Sequence, residues 1–398
     1  MTDYLYIHIP FCIKKCLYCD FFSVPYNAKT AVNYTDALCK ELILKKDFAQ
    51  SLKAIYIGGG TPSLLPDECF TKLFQCLRNN YHFSPDIEIT VETNPGTISE
   101  SKIQTLLDIG ANRFSIGVQS FQDDELNFLG RIHNSGDATR TIETLIKHGI
   151  ENFSIDLMYG IPGQTMDSWK ASLRNAVELS ATHISTYELT LEENTPLYKL
   201  IKSPPPPLCQ SGDNFKPADA ECKSLPEEEI VLDMYNHTID YLAGHGYEHY
   251  EISNFALPGF KCSHNLNYWN RGEYIGAGAG AHSFVNGVRT KNIADVNRYI
   301  DSLNSGIITE TESFMITPAE SLKEIIFLGL RKTEGINAKD NPSSTIYDRE
   351  ALKKLIDASG EMICEGYLEL NEDSLRLTRK GIVISNTIIV KLFEKFGL

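Results

Sequence analysis

Six short apolar runs, each followed by a helical pattern, set the narrowest limit on how this chain can fold. The strand candidates are 4–9, 54–57, 87–92, 113–118, 152–158 and 183–189. Between them apolar residues recur at helical spacing over 28–46, 67–79, 99–109, 137–148 and 167–179. Ser99 precedes one of these helices, and Gly110 and Gly149 follow two of them, as start and stop residues do. Strands alternating with helices predict a parallel sheet, because a right-handed crossover through a helix returns the chain to the same edge direction. Six such units predict an α/β fold, a (β/α)6-type partial or full barrel.

A parallel barrel gathers its chemistry at the C-terminal ends of its strands. Cys12-Ile-Lys-Lys-Cys16-Leu-Tyr-Cys19 follows the first strand, and Gly58-Gly59-Gly60-Thr61-Pro62 follows the second. Glu92 ends the third, Gln119 follows the fourth, and Asp156 lies in the fifth, ahead of Tyr159-Gly160. All five features point to one rim. Each has an ordinary reading. Glycine runs make tight turns, Glu92 suits a solvated strand end, Gln119 a buried amide, and Asp156 a paired carboxylate. Arg131 by itself reads as a surface residue, and near the rim as a partner for a carboxylate. Their shared location is what raises them to a candidate site.

The cysteines carry the sharpest chemistry. A four-iron cluster takes four thiolates when its protein shell is complete. Cys12, Cys16 and Cys19 supply three and leave one iron open. Zinc would want a second cysteine pair, and the remaining cysteines, at 39, 69, 76, 209, 222, 262 and 364, are scattered. Lys and Arg number 37 against 52 Asp and Glu, a net charge of −15, which argues against a broad nucleic-acid surface. No apolar run is long enough to span a membrane. The strand-like start at Asp3 and the reduced cysteines lead to the expectation of a cytoplasmic protein without a signal peptide.

Beyond the sixth strand the texture changes. Four prolines from Pro204 to Pro207 open a polar stretch, 203–226, read as a surface insertion. A helix over 227–244 resumes the fold. Cys262-Ser-His264-Asn-Leu-Asn-Tyr268-Trp269 concentrates aromatic and polar residues, and composition alone favours a core segment there. The Gly-Ala alternation of 275–282 suits close backbone packing or a ligand-facing strand. Helices over 318–330 and 347–359, a hairpin over 367–378 and a last helix over 381–396 suggest a winged-helix-like module. The domain expectation is a core barrel over 1–235, a linking region over 236–310 and a C-terminal module over 311–398.

Taken together, the cysteine loop with Tyr6, the Gly-Gly-Gly-Thr-Pro run, Glu92, Gln119, Arg131 and Asp156 resemble the radical S-adenosylmethionine superfamily. Tyr6-Ile-His-Ile-Pro-Phe-Cys12 and Asp156-Leu-Met-Tyr-Gly-Ile-Pro-Gly-Gln-Thr165 narrow this to the oxygen-independent coproporphyrinogen oxidase group. Within that group the dehydrogenase branch has a further cysteine two positions after the third, where this chain has Phe21. It also has a longer segment ahead of its cysteines. His264-Asn265-Leu-Asn-Tyr268-Trp269 resembles the His-Asn-x-x-Tyr-Trp signature of the heme chaperone HemW branch and displaces the core-segment reading.

The resemblance implies that Cys12, Cys16 and Cys19 hold a [4Fe–4S] cluster. It places S-adenosylmethionine among Tyr6, Gly59, Gly60, Thr61, Glu92, Gln119, Arg131 and Asp156. It implies heme at His264, Tyr268 and Trp269, with Cys262 as a competing iron ligand. The implied function is a chaperone that passes heme to an acceptor, such as a respiratory membrane protein. The alternative is an oxygen-independent coproporphyrinogen III dehydrogenase of porphyrin biosynthesis. The resemblance argues against that dehydrogenase activity and leaves open whether the cofactor is cleaved.

Overall fold

The computed structural model describes residues 1–202, 224–308, 310–337, 349–371 and 374–396. Most of the 203–226 insertion therefore lies outside the described residues. The six expected strands are present: β1 (Thr2–Ile9), β2 (Ala49–Gly59), β3 (Phe83–Thr93), β4 (Arg113–Gln119), β5 (Phe153–Tyr159) and β6 (His183–Glu188). They lie side by side in sequence order and pair in parallel. Three short strands extend the sheet: β7 (Glu248–Glu251), β8 (Asn254–Ala256) and β9 (Ile275–Ala277). β8 adds antiparallel to β6, β7 adds to β8, and β9 pairs in parallel with β1 on the opposite edge. The result is a nine-stranded sheet whose two edge strands, β7 and β9, do not pair, so the barrel is incomplete.

The crossovers are α1 (Ala28–Lys45), α2 (Asp67–Asn80), α3 (Glu100–Asp108), α4 (Ser135–Lys147) and α5 (Met166–Glu178). α4 begins two residues before its expected start because Asn134 and Asp137 form a reciprocal cap. α5 is capped in the same way by Thr165 and Ser168. Alternation on β1 shows how the barrel is built. Leu5, Ile7 and Ile9 are fully buried toward the helices. Tyr4, Tyr6 and His8 take the other face and point into the lumen. The lumen is polar, lined by Tyr56, Glu88, Glu92, Arg113, Ser115, Ser154, Asp156, His183 and Ser185, which share the inward register of β2 to β6.

α6 (Glu228–Gly244) packs against α5, and the Trp169 indole N–H donates to Met234 O at 3.2 Å and Thr238 Oγ1 at 3.0 Å. α7 (Ser263–Trp269) lies against the lumen face of the early strands: Glu88 in β3 accepts from the Ser263 and His264 amides at 3.1 and 3.3 Å. A carboxylate at a helix start suits the unpaired amides there.

The C-terminal part has its own hydrophobic cluster, around Ile326, Leu330, Leu355, Leu375, Ile388 and Leu392. It is built from α8 (Pro318–Gly329), Arg349–Ala358 and a small sheet of Ile336–Asn337, Ser374–Leu377 and Leu368–Asn371. The last expected helix is two helices, Arg379–Val383 and Ser385–Phe396. Ile384 between them departs from helical geometry, at φ −114° and ψ 30°. No helix among the described residues is long and apolar enough to cross a membrane.

Candidate functional site

The cysteine loop leaves β1 and is anchored on both sides by backbone. Thr61 N donates to Phe11 O at 2.8 Å, Leu17 N to Leu129 O at 3.1 Å, and Leu197 N to Leu17 O at 2.9 Å. Cys12, Cys16 and Cys19 all line one cavity of about 440 Å3 and none is in a disulfide. Gly59, Gly60, Thr61, Glu92, Gln119, Arg131 and Asp156 line the same cavity. Ten residues singled out from sequence thus converge on one mouth at the C-terminal strand ends.

Two sulfurs already have donors. Thr61 Oγ1 lies 3.7 Å from Cys12 Sγ, and Arg131 Nη1 donates to Cys16 Sγ at 3.3 Å. Arg131 is half-buried and also donates through Nη2 to Asn94 Oδ1 at 2.6 Å and Gly117 O at 2.5 Å. Its Nε is buried without a partner. Burial pushes the Cys19 thiol up to about 11. No group of three His, Cys, Asp or Glu side chains among the described residues is gathered to grip a single metal ion. Three thiols that each take a different iron of a cluster need no common centre.

The glycine run answers to the protein's own packing. At Gly58 a Cβ would sit 2.8 Å from the Glu92 carboxyl carbon. At Gly60 a Cβ would meet Phe11 O at 2.7 Å and Phe11 N at 2.9 Å. Glu92 accepts from Tyr56 Oη at 2.8 Å and from Gly59 N at 3.0 Å. Burial still pushes its carboxyl up to about 7, against the lowering effect of those two bonds. Asp156 accepts from the Ser115 and Ser154 hydroxyls, each at 3.0 Å, and burial raises it too. Gln119 has φ 71°, a strained value for a residue with a side chain, at the end of β4 where it faces the cavity.

Four residues are placed elsewhere. Tyr6 does not line the cavity; its hydroxyl meets His8 Nδ1 at 2.9 Å and its ring stacks on Tyr56 at 6.2 Å. His264, Tyr268 and Trp269 are likewise absent from the lining. His264 is 1% exposed, with its ring stacked on Tyr56 at 5.2 Å and its Nε2 3.0 Å from Tyr268 Oη. Its Nδ1 has no partner. Burial pushes the imidazole down to about 3, with the nearby Arg113 charge adding to the effect. Trp269 ends α7, with the Arg331 guanidinium 5.9 Å from its ring. Cys262 is fully buried and its Sγ lies 3.6 Å from Glu88 Oε1.

Sequence reasoning missed Tyr56, Asn94, Ser115 and Tyr187, which also line the cavity. Tyr56 sits two residues before Gly58 on β2, so strand alternation carried a signal for it. Asn94 lies two residues after Glu92, in the same Glu-Thr-Asn-Pro run.

Comparison with known proteins agrees with this geometry. Residues 6–176 match the radical SAM superfamily, and residues 316–384 match the HemN C-terminal domain. The heme chaperone HemW of Bacillus subtilis (strain 168) is 36% identical over 96% of this chain and 97% of its own length. HemW of Escherichia coli (strain K12) is 39% identical over 71% of this chain and 70% of its own. A zebrafish (Danio rerio) protein, radical S-adenosyl methionine domain-containing protein 1, mitochondrial, is 30% identical over 97% of this chain and 85% of its own. In fold, the chain is similar to the coproporphyrinogen III oxidase HemN of Escherichia coli, described as a radical SAM enzyme. The TM-score is 0.78, over 98% of this chain and 89% of that one, at 21% identity. The cysteine-lined barrel mouth and the near full-length similarity lead to one conclusion: this chain belongs to the heme chaperone HemW family of the radical SAM superfamily.

Proposed function

We propose that this chain binds heme and hands it to an acceptor protein, and that it carries a [4Fe–4S] cluster with exchangeable S-adenosylmethionine. Cys12, Cys16 and Cys19 are the cluster ligands in this reading. Gly59, Gly60, Thr61, Glu92, Gln119, Arg131 and Asp156 surround the cofactor, and Tyr6 acts from beneath, through Tyr56. The unpartnered Arg131 Nε offers a donor to a carboxylate, and Glu92 and Asp156 offer acceptors to hydroxyl or ammonium groups. His264, Tyr268 and Trp269 hold heme. The acceptor is a respiratory membrane protein met from the cytoplasmic side.

One observation carries the choice of chaperone over enzyme. The His264–Tyr268–Trp269 signature is outside the cavity that the cysteines line, with Tyr56 standing between. A tetrapyrrole held at that signature is not presented to the cysteine-lined mouth, as a substrate for turnover would have to be. The relatives named as heme chaperones support the same reading.

The test is anaerobic reconstitution followed by paired assays. The expected result is a heme Soret band that weakens in the His264→Ala/Tyr268→Ala/Trp269→Ala variant, with no vinyl product formed from coproporphyrinogen III under reducing conditions. Turnover of coproporphyrinogen by the reconstituted chain would establish the dehydrogenase reading instead.

A further inference from the structure

Buried polar atoms in folded proteins are nearly all paired, so a group of exceptions at one place calls for an explanation. Four such atoms meet at a single junction: Glu251 Oε1, Asn254 Oδ1, Trp269 Nε1 and Arg331 Nε have no hydrogen-bond partner. The junction is where the β7–β8 hairpin and the end of α7 meet the turn after α8. Ile252 N donates to Arg331 O at 3.0 Å, and Lys332 Nζ donates to Asn270 Oδ1 at 2.7 Å. Arg271 Nε donates to Glu324 Oε2 at 2.7 Å on the same face.

Arg331 is the hub. Its guanidinium carbon is 4.4 Å from the Phe327 ring and 5.9 Å from the Trp269 ring. Its Nη2 donates to the Asn386 amide oxygen at 3.0 Å, and no carboxylate among the described residues forms an ion pair with it. Glu251 is the acid that faces it, and burial pushes that carboxyl up to about 7. The donors sit on the helix side of the junction and the orphan acceptors on the strand side. A half-buried guanidinium with a free N–H, beside an indole with a free N–H, is a donor pair suited to one carboxylate.

We propose that Arg331 and Trp269 form a carboxylate-binding pair that receives a propionate of the bound heme. This rests on the heme-binding reading above and assigns the C-terminal part a direct role in it. Trp269 supplies a flat face and one N–H, and Arg331 supplies the charge. A neutral ester in place of the carboxylate loses the charge-assisted bond while keeping the apolar ring system.

The reconstituted full-length chain is titrated with hemin and with hemin dimethyl ester, as wild type, Arg331→Gln and Arg331→Lys. Wild type is expected to bind hemin about tenfold or more tighter than the diester, the size of a charge-assisted hydrogen bond. Arg331→Gln is expected to lose that preference by weakening hemin alone, and Arg331→Lys to keep part of it. Equal binding of both compounds by wild type, or an equal loss of both in Arg331→Gln, overturns the carboxylate pair and leaves heme binding standing. Failure of wild type to bind either compound overturns the heme reading itself.

Discussion

The Tyr56 hydroxyl donates to Glu92 Oε1 at 2.8 Å, while the other face of this tyrosine's surroundings is the His264 ring, stacked on it at 5.2 Å. One side chain on β2 therefore touches both the cysteine-lined cavity and the His-Asn-x-x-Tyr-Trp segment. The cavity and that segment lie on either side of this shared residue.

Tyr56→Phe keeps the ring and removes the donor. Glu92 then retains only the Gly59 amide as a partner and a buried carboxyl loses a bond, at a cost of about 1–3 kcal/mol. The expected outcome is weaker binding of S-adenosylhomocysteine to the reconstituted chain, read by calorimetry, with the stacking on His264 preserved. Unchanged affinity would remove Tyr56 from the account of the cavity.

Glu92 and His264 titrate in opposite senses, and the pH dependence of stability separates them. Glu92 is raised from 4.5 to about 7, so the folded chain holds its proton more tightly than the unfolded chain. Its contribution to stability is present below pH 4.5 and is lost as pH rises toward 7. His264 is lowered from 6.5 to about 3, so the folded chain resists its protonation and this residue costs stability as pH falls from 6.5 toward 3. Glu92→Gln is expected to raise the melting temperature of the cluster-free chain at pH 8 relative to wild type, by an amount that shrinks toward pH 5. A difference constant with pH would contradict it.

Gly60→Ala forces a methyl group against the Phe11 backbone, which a flexible side chain cannot relieve by moving aside. The expected loss is on the order of 1–3 kcal/mol in chemical denaturation, or failure to accumulate folded protein. Wild-type stability in this variant would mean that the first strand end and the glycine run are not in contact.

Arg131→Met removes the donor to Cys16 Sγ and leaves Asn94 and the Gly117 carbonyl without their shared partner. Iron and sulfide retained per chain after anaerobic reconstitution and gel filtration are expected to fall several-fold. The apo chain is expected to lose about 1–3 kcal/mol of stability. Full retention would confine Arg131 to the outer wall of the cavity.

The barrel strands were legible because each carries a short apolar run bounded by turn residues, and periodicity reports burial directly. The boundaries drifted where capping decided them, as at Asn134 and at Ile384. β7 and β8 were missed because strands of four and three residues give too short a pattern to read. Arg113 is legible in the sequence only as the first residue of a strand, not as part of a polar lumen. It stands at the base of the lumen and is 1% exposed, and nothing in its neighbours along the chain marks it.

The sequence by itself determined the strand–helix order, the rim on which the cysteines, glycines and carboxylates converge, and the family. These follow from local spacing, since strand alternation and helix periodicity are properties of neighbours in the chain. Only the tertiary structure decided that Tyr6 lies beneath the cavity and that Tyr56 bridges Glu92 to His264. It also decided that Trp269 faces Arg331 across more than sixty residues of chain. Those relationships arise from packing between segments distant in sequence, where burial strips water from polar atoms and makes each remaining partner, or its absence, count.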